Sequence, residues 1–104
     1  MHKEFQMAFM NGIPQWTQEE AIAYECAREA ITGLRAVLTS QIAAESSKPY
    51  PDAERLADLR AERARLFKER AGLQVKDHAE IARVRAEYGA AVRAWRAEQQ
   101  AVPA

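Results

Sequence analysis

A single cysteine, Cys26, leaves the chain unable to close a disulfide on itself. That excludes the small cystine-framed scaffolds and points to a reducing compartment. The two histidines, His2 and His78, stand far apart, and neither has cysteine, histidine or carboxylate company at ligand spacing. No metal site and no cofactor are therefore expected. No apolar run approaches the length that spans a bilayer, and the first residues lack the charged-then-apolar layout of a secretion signal, so the expected location is cytoplasmic. Large apolar residues are scarce as well. Leu, Ile, Val and Phe together number nineteen of 104 residues, whereas alanine alone supplies twenty-two. So thin a composition accompanies disorder when net charge is high. Here fifteen basic and fifteen acidic residues cancel, and that second condition fails.

What is present is a helix-prone chain with a lean core, for which burial against a second copy is a natural remedy. The neutral total hides an asymmetry. Residues 1–47 hold three basic and six acidic residues, and residues 48–104 hold twelve and nine. Opposite-sign halves attract within one molecule or between two. Arginine outnumbers lysine eleven to four, which together with the alanine content fits a GC-rich coding sequence. A bacterial or mobile-element origin is the corresponding expectation.

Punctuation in the sequence divides it into an apolar arm (residues 1–16), a helical domain (17–100) and a short tail (101–104). In the arm, Phe5 and Phe9 are four residues apart and share a face of any two-turn helix there, with Asn11-Gly12 as its stop. Thr17 then precedes Glu20 by three, the capping-box spacing, and Trp16 stands where an apolar side chain folds against the fourth helical residue, Ala21. An exposed anchor for a partner is the other reading of Trp16.

The first helix is expected over about 18–45. Its apolar positions, from Ile22 to Ile42, cover a wide arc, enough for two neighbours. Cys26 falls on that arc and reads as a small buried hydrophobe. Gly33 sits beside Ala30 and Cys26, where the lack of side chains suits a close helix crossing. SSKPYP ends this helix. A second is expected over 52–71 with Leu56, Leu59, Leu66 and Phe67 inward, along with Ala53, Ala57, Ala64 and Ala71. Gly72 is read as a left-handed cap with Leu73 folding back. The third helix starts at Asp77 through a second capping box with Glu80, and presents Ile81, Val84, Tyr88, Ala91, Val92 and Trp95. At 1.5 Å per residue the helices measure roughly 42, 30 and 33 Å, so the first overhangs the others by about two turns. The fold class follows: all-α, an antiparallel helical bundle of one long helix plus a helical hairpin, with the hairpin's packing assigned to Trp95, Tyr88, Leu59 and Leu66.

Chemistry is harder to find. A nucleophilic cysteine needs a positioned base, and carboxylates used as acid and base need a cleft. Arg55 with Asp58, Glu62 with Arg65, Arg65 with Glu69, and Arg83 with Glu87 are instead spaced as supporting pairs on solvated helix faces. The expectation is a non-enzymatic protein–protein interaction module, an adaptor, inhibitor or chaperone-like accessory, that forms homodimers and binds a further protein. Phe5, Phe9, Met10, Ile13 and Trp16 are its candidate partner-binding residues; Cys26, Ala30, Gly33 and Val37 are its candidate self-association residues. The alternative is an accessory nucleic-acid binder using Arg60, Arg63, Arg65, Lys68 and Arg70, although Asp58, Glu62 and Glu69 interrupt that basic run.

Overall fold

Two reciprocal hydrogen bonds begin the helical domain. The Thr17 amide donates to Glu20 Oε1 at 2.8 Å, and the Glu20 amide donates to Thr17 Oγ1 at 3.0 Å. Two backbone donors at the helix start are thereby satisfied. In a computed structural model describing residues 15–101, three helices follow: α1 (Gln18–Ser46), α2 (Ala53–Gly72) and α3 (His78–Gln100). They form an all-α antiparallel bundle, with the long α1 packed against both arms of the α2–α3 hairpin.

Register comes from a few cross-helix contacts. Arg55 reaches Glu45, and Arg63 Nη1 donates to Thr39 Oγ1 at 3.0 Å, so α2 runs antiparallel to α1. His78 meets Glu20, and Val92 meets Gly33, so α3 runs parallel to it. The expected overhang of α1 is therefore absent. Its C-terminal part is matched by the start of α2, and its first turns by the start of α3, because the two shorter helices are staggered. Ala27, Ile31, Leu38 and Ile42 of α1, Leu59 and Leu66 of α2, Leu73 of the loop, and Ile81 and Val84 of α3 make the core.

The wide apolar arc of α1 does serve two neighbours, and Gly33 is a point of close approach. A Val92 methyl lies 3.4 Å from where a Cβ on Gly33 would stand. Other expectations change. Ala53, Ala57, Ala64, Ala71 and Ala91 are exposed. Phe67 is 54% exposed and lies beneath the Arg35 guanidinium, 5.2 Å from its ring centre. Cys26 is exposed rather than buried. Trp95 is only half-buried and stands outside the core cluster. No Cα atom of α2 lies within 8 Å of one in α3; the hairpin arms meet through side chains alone. Gly72 continues the helix, and Leu73, with extended backbone, caps it and is buried. Asp77 accepts from the Glu80 amide at 3.2 Å, but the reciprocal half of that box is missing because the Glu80 carboxylate turns to Arg83.

Candidate interaction surface

Charged residues on this bundle divide into a set that is mutually satisfied and a set that is not. The satisfied set lies between α2 and α3, with Glu69 at its centre. Glu69 accepts from Tyr88 Oη at 2.7 Å, from Arg83 Nη2 at 2.6 Å and from Arg65 Nη1 at 3.1 Å. Arg65 also binds Glu62, and Arg83 binds Glu80 and Glu87. Hydrogen bonds to Arg65 and Arg83 hold the Glu62 and Glu80 carboxyls below the usual carboxylate range, and both guanidiniums are stabilised upward in turn. Three of the four sequence-spaced pairs form. Arg55 departs from the pattern, with its guanidinium 3.5 Å from Glu45.

Two further carboxylates tie the chain's connections to α1. Glu20, besides capping, accepts from His78 Nε2 at 2.6 Å and sits 3.7 Å from Lys76 Nζ. The Thr17 amide, and then His78, lower its pKa. Glu45 is 4% exposed; it accepts from the Asp52 amide at 2.8 Å and faces Lys48 Nζ at 2.8 Å. The Lys48 contact, then the Asp52 amide, lower its pKa. Neither role was read from the sequence. Glu45 follows Leu38 and Ile42 on the buried stripe of α1, and that placement was the available signal.

A set of unpaired charges also lies between α1 and α3. There a groove of about 620 Å³ runs along the two parallel helices. Small residues floor it: Cys26, Ala30 and Gly33 from α1, Ala82, Ala86 and Gly89 from α3. Glu29, Arg85, Arg93 and Arg96 line it as well, and none of these four has an opposite charge within 4.0 Å among the described residues. Beside it, Ile22 is 54% exposed and shares a shallow recess with Glu25, Cys26 and Glu29.

Three of the four candidate self-association residues, Cys26, Ala30 and Gly33, thus line one groove, while Val37 is buried. Of the candidate partner-binding residues, Phe5, Phe9, Met10 and Ile13 lie outside the described residues. Trp16 is 46% exposed and shares a crevice with Ala21, Tyr24 and the loop residues Leu73 to Val75. The candidate nucleic-acid residues are divided. Arg63 and Arg65 are engaged within the bundle, Arg70 lines a recess with Glu25, Arg28 and Glu29, and Arg60 and Lys68 are exposed without an ion-pair partner among the described residues. The arginines of the open groove were in the sequence at helical spacing, since Arg85, Gly89, Arg93 and Arg96 are four, four and three apart.

Among the described residues, no three His, Cys, Asp or Glu side chains are placed to hold a metal ion. No described helix is long and apolar enough to cross a membrane. Compared with protein-family models, curated proteins and solved structures, the chain matches none.

Proposed function

We propose that the chain is a non-enzymatic interaction module that associates with a second copy of itself through the α1–α3 face, and in that form engages another protein as an adaptor, inhibitor or chaperone-like accessory. The observation that carries this is the open groove. Its floor of small residues lets another helix approach closely, and it adjoins an exposed isoleucine. The composition supports a bacterial or mobile-element setting and the single cysteine a cytoplasmic one. The nucleic-acid alternative draws less support, because Arg63 and Arg65 are already bonded inside the bundle.

Sedimentation equilibrium tests the self-association. The mass should rise from 11.7 kDa toward twice that value as concentration increases. A mass fixed at the single-chain value up to millimolar concentration would rule the proposal out.

A further inference from the structure

Charge on the open face is separated along its length. Glu19 stands in the first turn of α1. Arg93 and Arg96 stand toward the other end, since Val92 is level with Gly33 and α3 continues from there. At 1.5 Å per residue, roughly 25 Å separates Glu19 from the two arginines along the bundle axis. Glu29 and Arg85 lie between them. None of these five groups has an opposite charge within 4.0 Å among the described residues. The charges between α2 and α3, by contrast, are bonded to one another.

A face that is acidic at one end and basic at the other complements itself under a two-fold axis perpendicular to it. We infer that, given the self-association proposed above, two copies pair in antiparallel fashion across this face, with Glu19 and Glu29 of each opposing Arg96, Arg93 and Arg85 of the other. The axis then passes near Cys26, Ala30, Ala86 and Gly89, where small side chains permit close approach of the two backbones. Ile22, exposed beside the groove, is covered by the second copy. A parallel arrangement would instead set carboxylate against carboxylate and arginine against arginine. Because the acidic and basic positions on this face exchange places under that axis, a second copy of this chain is the occupant that offers an arginine to each of these carboxylates.

Charge exchange on the full chain tests the pairing. One variant carries Arg85→Glu, Arg93→Glu and Arg96→Glu, the other Glu19→Arg with Glu29→Arg. All five positions are exposed, and far-UV circular dichroism verifies that both variants fold. Each variant alone should dissociate at least about tenfold more readily than the wild type, and their equimolar mixture should recover near wild-type affinity as a heterodimer. The wild-type dimer should also weaken as salt is raised, because exposed charges are screened. If both variants self-associate as tightly as the wild type, or if wild-type association ignores salt, the antiparallel pairing is wrong and the dimer uses another surface. A wild type that is monomeric throughout overturns the pairing and the self-association together.

Discussion

Glu45 is an acid on a buried stripe, held by partners its own neighbourhood supplies. The chain leaves α1, turns through Pro49 and Pro51, and returns the Asp52 amide to the carboxylate at 2.8 Å while Lys48 approaches from the exit turn. These contacts favour the ionised form and lower its pKa from an ordinary 4.5. The unfolded chain therefore takes up the proton at a higher pH than the folded chain does. Stabilisation by Glu45 is complete above 4.5 and is lost as pH falls through the depressed folded value. Glu45→Gln should lower the melting temperature near neutrality, and the gap from wild type should close as pH falls below that point. A gap that stays constant into strong acid would mean the ionised form is not what matters. The sequence shows the buried stripe and the proline turn separately. That the turn brings an amide back to the carboxylate is a three-dimensional fact, so the role of Glu45 was not legible in advance.

At the scale of helices, ends were more legible than faces. Thr17 with Glu20, Asp52, and Asp77 each satisfy amides at a helix start, and such local chemistry can be read over four residues. Faces of α2 misled because alanine has too little apolar surface to dictate orientation. Ala53, Ala57, Ala64 and Ala71 fall beside the leucines by helical spacing but end up exposed, and only Leu59 and Leu66 of α2 are buried in the core. Phe67 remains outside because Arg35, which also donates to the Arg63 carbonyl at 3.2 Å, covers its ring. Trp95 is half-buried and stands outside the core cluster. Two truncations separate these environments. Leu66 is 0% exposed, so Leu66→Ala should cost about 2–5 kcal/mol. Trp95→Ala should cost clearly less than the roughly 3–5 kcal/mol typical of a buried aromatic. Urea denaturation of both variants checks the order; a larger loss at Trp95 would place that ring in the core after all.

For the molecule as a whole, the lean composition and the open groove point the same way. The all-α class and the two-neighbour role of α1 could be read from periodicity, and so could the small residues around Gly33. Glu62, Arg65, Arg83 and Glu87 pair as their spacing suggests, whereas Arg85, Arg93 and Arg96 have no carboxylate three or four residues away and remain unpaired among the described residues. What sequence could not supply was the pairing between helices, which brings Tyr88 and Arg83 of α3 to Glu69 of α2. If association completes the burial that one chain leaves unfinished, stability must depend on concentration by mass action. A partner at about a hundred times its dissociation constant adds roughly 2.7 kcal/mol to the folded state. For a domain of this length each kcal/mol moves the melting temperature by about 4–8 °C. The melting temperature at low salt should therefore climb by several degrees across a hundredfold range of protein concentration spanning the dissociation constant. Raising salt to about 0.5 M should flatten that climb, because exposed ion pairs are screened over such distances. A melting temperature indifferent to concentration at both ionic strengths would mean that the single chain, lean core included, is the complete folding unit.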